Sequence, residues 1–92
     1  MANHASALKR HRQSLERRKR NQAVKTRVRH LIRSVRAAVG AGDAAAAQAG
    51  LADAARALDK AVSKGVIHRN GASRRVSRLT RAVTQLASST AS

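Results

Sequence analysis

Between Lys9 and Arg20 seven side chains are cationic: Lys9, Arg10, Arg12, Arg17, Arg18, Lys19 and Arg20. Leu15 is the only apolar residue in the same stretch. Ammonium and guanidinium groups at this density bind phosphate, lysine as a point charge and arginine as a planar two-pronged donor. At about 100° per residue, a helix over these positions points its cations to nearly every side. Such a helix has no apolar stripe to dock on protein, and like charges close in space destabilise it when free. The simplest partner is a polyanion that surrounds it: nucleic acid, and in particular folded RNA or a narrow groove between RNA helices. A charge block of this kind is otherwise a solvated, disordered tail. The absence of Gly and Pro from residues 5–39 favours instead a helix that is frayed alone and ordered on binding RNA.

A second cationic set lies near the other end of the chain. Arg74, Arg75, Arg78 and Arg81 fall on one side of a helix, and no acid occurs from Lys60 onward. A merely solvated helix usually mixes signs to gain pairs three or four residues apart, so this face reads as a binding face. His68, Arg69 and Asn70 precede it at a helix start, where backbone N–H groups and the helix dipole attract phosphate. The chain has no Phe, Tyr or Trp, so it lacks the ring platforms on which unpaired bases stack. Recognition would rest on Lys and Arg at phosphates, with Arg also able to stack on bases or fork to guanine edges. Such contacts read shape more than sequence.

Other chemistries find few parts. The only acids are Glu16, Asp43, Asp53 and Asp59, and no His/Asp/Ser constellation or Gly-rich phosphate loop is visible. The reading is that the chain is not an enzyme. His4, His11, His30 and His68 lack metal-ligand spacing, and with no Cys there is no thiolate site or disulfide framework. No cofactor is expected. No apolar run approaches the roughly 18 residues of a membrane span. An Arg-rich, acid-poor N-terminus also describes organelle transit peptides, but here it runs straight into a core-facing stripe; the expectation is a cytoplasmic protein.

The elements that must position these cations can be read from periodicity. Residues 5–39 form one long helix, with Ser6 as N-cap and Gly40 as the stop. Its second half carries Val24, Val28, Leu31, Ile32, Val35 and Val39 on one stripe. Gly40, Ala41 and Gly42 form a short turn, and Asp43 caps a second helix over 44–64. Ala47, Leu51, Ala54, Leu58, Ala61 and Val62 share a face of that helix, and Gly50 within it carries a modest propensity cost. Gly65 ends it, Val66 and Ile67 are buried in the connection, and Asn70 caps a third helix over 71–88 with Ala72, Val76, Leu79, Val83 and Leu86 inward. Residues 89–92 read as a frayed tail. The expectation is a single all-α domain: a three-helix bundle whose extended, basic first helix projects beyond the others.

The 92 residues carry a formal charge of +16, at the two ends of the chain: net +11 over residues 1–36, −2 over 37–59 and +7 over 60–92. If the ends fold side by side they build one basic surface. The core is thin, because 21 of the 39 hydrophobic residues are alanine, which favours helix but buries little area. Stability alone should be modest, with a partner adding to it by binding the folded form.

Several stretches together resemble a known family. Ala2-Asn3, the run Ser6 to Arg12, Arg20-Asn21 and Lys25-Thr26-Arg27-Val28-Arg29 are similar to the start of the bacterial small-subunit ribosomal protein numbered twenty. The run from Asp59 through Lys64-Gly65-Val66-Ile67-His68-Arg69-Asn70, then Ala72, Arg74 and Ser77-Arg78-Leu79, resembles its second signature, with Gly40-Ala41-Gly42-Asp43 between. His4 and Gly71 depart from the pattern. The resemblance implies a structural component of the bacterial 30S subunit that binds 16S ribosomal RNA directly, early in assembly. It implies contact with the 5′ domain and the long 3′ minor-domain helix, few protein neighbours and a monomeric state in the ribosome. By position it implies RNA contacts at Lys9, Arg10, Arg12, Arg17, Arg20, Asn21, Lys25, His68, Arg69, Asn70, Arg74 and Arg78. Arg18 and Arg75 from the two basic faces, and Arg29 and Lys64 from the matched stretches, complete the candidate set. The alternative is a nucleoid-type, non-specific DNA-binding protein, which the charge permits but for which no reading helix or dimer seam is evident. A cationic helix at anionic membranes fits less well, because residues 9–20 lack an inserting apolar face.

Overall fold

A computed structural model describes residues 2–91, with side chains placed for residues 5–89. Three helices follow one another: α1 (Ala2–Gly40), α2 (Ala44–Ser63) and α3 (Arg69–Ala91). No strand occurs among the described residues. The extents are 72 × 21 × 14 Å and the radius of gyration is 18.3 Å, against about 12 Å for a compact chain of this length. The excess comes from α1, whose 39 residues span about 58 Å at 1.5 Å per residue.

Only the second half of α1 packs on the others. Residues 5–20 are all exposed, and the first buried side chain is Val28. From there the stripes meet as their spacing requires. Val35, Ala47, Ala54, Leu79 and Val83 form one buried cluster, flanked by half-buried Leu31, Ile32, Val39, Leu51 and Leu86. Val28, Leu58, Ala61 and Ala72 form the second, flanked by Val24, Ile32, Val62, Ile67 and Val76. Helix α2 is the middle element: it packs extensively on α1 and α3, which touch each other least. Its alanines allow that, since short side chains let neighbouring axes approach. No polar or charged residue is buried among the described residues, so nothing polar in the core needs a partner.

The helix ends differ from the sequence expectation in instructive ways. Ser6 caps nothing; α1 already runs through it from Ala2. Gly40 lies inside α1, and Gly42 carries the left-handed turn with φ 76°. Asp43 N–H donates to the Ala38 carbonyl at 2.9 Å and Gly42 N–H to Val39 at 3.1 Å. This paired closure is the Schellman motif, which needs its left-handed residue two positions later than the first glycine of the turn. Asp43 then caps α2 as expected, its carboxylate accepting from Ala46 N–H at 3.1 Å. The same motif ends α2 at Ser63, with Lys64 as C-cap: Gly65 has φ 74°, Gly65 N–H bonds Val62 and Val66 N–H bonds Ala61. Val66 and Ile67 are half-buried in the link, not fully buried.

Helix α3 starts two residues before the expected position. Its cap is His68, whose Nδ1 accepts from Asn70 N–H at 3.1 Å and whose carbonyl accepts from Ala72 N–H. Asn70 is therefore inside the first turn, and its side chain is not the cap. The helix continues through Ser88 and Ser89 to Ala91, three residues beyond the expected end; Ser92 lies outside the described residues, as does the side chain of His4.

Gly50 has a packing role that propensity does not reveal. A Cβ built there would lie 3.0 Å from Val35 Cγ2, so its absence sets how closely α2 approaches α1. Val35 is fully buried and β-branched, hence stiff at χ1, and cannot turn aside. Gly50→Ala should therefore destabilise the bundle, although in an open helix the same change gains about 1 kcal/mol. Overpacking costs roughly 1–3 kcal/mol. The expected result is a Tm lowered by several degrees, read by circular dichroism; a raised Tm would mean that the contact relaxes freely.

Candidate nucleic-acid interface

The basic half of α1 stands clear of the bundle as a cationic arm. Lys9, Arg10, Arg12, Arg17, Arg18 and Arg20 are all exposed on it. Glu16 is the only acid in the arm, so its cations have little internal compensation. Asn21, half-buried, marks where the arm meets the bundle.

At the root of the arm, separate parts of the sequence converge. Lys25 and Arg29 of α1, the capping His68 and Arg75 of α3 line one open groove, floored by Val28, Ile32, Val66 and Ile67. The apolar stripes bring these two helices together, and the cations on their flanks then face a common space. His68 serves two purposes there. Because Nδ1 accepts the capping bond, the neutral ring carries its proton on Nε2, which remains a donor. The N-terminal turn of α3 opens beside the same groove, adding the positive end of its dipole.

The structure separates other candidates from this groove. Lys64 lies on the opposite flank of α1, in a second groove with Arg27, Arg56 and Lys60, where Asp53 is the only acid. Arg69 faces a cleft between α2 and α3 with Asp59, Ser63, Ser73 and Ser77. Arg78 sits farther along, with Arg36 of α1 around Val39, Gly40 and Leu79. Arg74 and Asn70 are exposed near the start of α3. The candidate set is thus spread over an arm, two grooves flanking α1, the α2–α3 cleft, the neighbourhood of Arg36 and the exposed start of α3.

Sequence reasoning missed Arg27, Arg36, Arg56 and Lys60. A signal existed for two of them: Arg56, Lys60 and Lys64 recur every fourth residue and so form one line along a helix. Arg27 and Arg36 give no such sign, since the sides of α1 on which they fall matter only once α2 and α3 are in place. Among the described residues no group of three or more His, Asp or Glu side chains comes together to hold a metal. No described helix is long and apolar enough to cross a membrane.

Compared with known families, the chain matches ribosomal protein S20 over residues 2–84. It belongs to that family. Among similar proteins, the small ribosomal subunit protein bS20 of Solidesulfovibrio magneticus is 59% identical over 83 residues, covering 90% of this chain and 93% of that protein. The protein of the same name from Nitratidesulfovibrio vulgaris is 54% identical over 87 residues, covering 95% of this chain and 100% of its own. That of Anaeromyxobacter dehalogenans is 48% identical over 91 residues, covering 99% of each. Membership makes the chain a ribosomal protein of the small subunit, structural and not enzymatic. The three helices and the long first helix agree with the three-helix bundle expected from the periodicity.

Proposed function

We propose that this S20-family chain binds 16S ribosomal RNA directly and stabilises its fold during assembly of the small subunit, mainly through Lys and Arg contacts to phosphate. The observation that carries the reading is the arm: residues 5–20 are wholly exposed and bear seven cations and one acid. Nothing in the bundle covers that charge, so an enclosing polyanion is the partner that neutralises it. The groove of Lys25, Arg29, His68 and Arg75 continues the surface onto the bundle, with Arg69, Arg74 and Arg78 beyond it.

The grooves on opposite flanks of α1 support a bridging role, one RNA segment on each side. The 5′ domain and the 3′ minor-domain helix are the two segments in this reading, with the protein monomeric between them and few protein neighbours. Folding and binding are coupled here: RNA that binds only the helical arm stabilises it by mass action.

The test is a salt-titrated competition for the purified protein between labelled 5′-domain ribosomal RNA and duplex DNA of equal charge. The expected result is a preference for the folded RNA that persists at physiological salt. Equal affinities that collapse together as salt rises would mean that charge alone drives binding, and the DNA-binding alternative would take its place.

A further inference from the structure

Leu8 and Leu15 are the only large hydrophobic side chains that stand exposed among the described residues, at 56% and 45%. Both lie on the most highly charged part of the chain. Seven residues apart, they fall within about 20° of each other around α1 and about 10.5 Å apart along it. They occupy the widest gap in the arm's ring of cations, an arc of about 100° with Arg18 on one edge and Lys19, then Arg12, on the other. The strip lies roughly opposite the stripe of Val28 and Val35 that meets the bundle, so neither α2 nor α3 could cover it by a small shift.

We propose that Leu8 and Leu15 pack into the minor groove of an RNA duplex, against its ribose faces, while the flanking cations hold the phosphates on either rim. This rests on the reading of the chain as a ribosomal RNA-binding protein. The charge around the strip decides the occupant. A partner that reaches the leucines must also meet Arg12, Arg18 and Lys19, so it presents negative charge on both sides of an apolar surface. The A-form minor groove offers this arrangement: it is wide and shallow, bordered by phosphates, and lined with riboses whose C–H edges give apolar contact between their 2′-hydroxyls, whereas the major groove is too deep and narrow to enter. A lipid surface fits poorly, since two leucines in an arm with cations on every side give no continuous apolar face to insert.

The experiment compares full-length protein with the Leu8→Ala/Leu15→Ala variant in binding 5′-domain ribosomal RNA across a range of salt. Apolar contacts release no counterions, so the slope of log K against log salt should stay unchanged. Affinity should fall at every salt concentration, by roughly ten- to a hundredfold for the pair. Alanine is at least as good a helix former as leucine, so a weaker helix cannot account for the loss. Hydroxyl-radical cleavage of the RNA should show ribose protections, facing each other across one minor groove, that disappear in the variant. Unchanged affinity and protections would overturn the proposal, leaving the leucines in solvent. A variant that lost only binding to anionic phosphatidylglycerol vesicles would overturn it in favour of a lipid occupant. The wild-type competition against duplex DNA is read separately: no preference for folded RNA there would overturn the underlying RNA reading as well.

Discussion

Replacing Leu58 with alanine should unfold the bundle, or nearly so, at ordinary temperature. Leu58 is fully buried, and its cluster is built largely from short side chains: Ala61 and Ala72 beside Val28, with half-buried Ala57 alongside. Alanine has no rotamer with which to fill a void, so the cavity would persist. Leu→Ala changes cost roughly 2–5 kcal/mol, rising with the volume left empty, and this site belongs in the upper half of that range. A small domain holds only about 5–15 kcal/mol in total, and a core so dependent on alanine sits at the low end. Leu31→Ala offers the internal comparison. Leu31 is half-buried at the edge of the other cluster, so its truncation should cost about 1–2 kcal/mol. Urea or thermal unfolding followed by circular dichroism would separate the two, the chain having no aromatic residue to report by fluorescence. Equal losses at the two positions would contradict the packing described.

The second large effect concerns RNA binding and leaves the bundle intact. Arg12, Arg17 and Arg20 are exposed on the arm and fully outside the core. Their joint replacement by alanine should lower the slope of log K against log salt by about 0.7–0.9 per lost phosphate contact, or roughly two to three in all. At about 0.1 M salt that corresponds to a loss on the order of 10²–10³ in affinity for ribosomal RNA. Bundle stability should hold or rise slightly, since removing three like charges relieves self-repulsion. A loss of affinity with an unchanged slope would mean that these arginines act through something other than phosphate. An unchanged slope and affinity would place the RNA on a different face.

Much of the architecture was legible because helical periodicity is a local property. The stripes led by Val28 and Val35, by Ala54 and Leu58, and by Leu79 and Val83 fix which side of each helix is buried, and side chains on those stripes form both core clusters. The arm was legible for the converse reason: where no stripe exists, no tertiary contact can form, and residues 5–20 are exposed. Asp43 was readable as a cap from its position alone. What the chain could not reveal by itself was which of several neighbouring residues closes a helix end, and anything that depends on a second segment. Gly42 rather than Gly40 takes the left-handed turn because the closing hydrogen bonds must reach back to Ala38 and Val39. His68 displaces Asn70 as the cap because its ring nitrogen reaches a backbone N–H at the start of α3. Gly50 reads as a mere propensity cost until Val35 is found 3.0 Å from its missing side chain.

The candidate surface divides along the same line. The sequence by itself determined the charge, its concentration at both ends of the chain, and the arm that nothing can cover. Only the tertiary structure decided that Lys25 and Arg29 share a groove with His68 and Arg75, while Lys64 is carried to the far flank of α1 beside Arg27, Arg56 and Lys60. The physical reason is that charge and periodicity are set residue by residue. Which cations face one another is set by helix–helix packing, where contacts between segments far apart in the chain choose which flank of α1 each neighbour occupies.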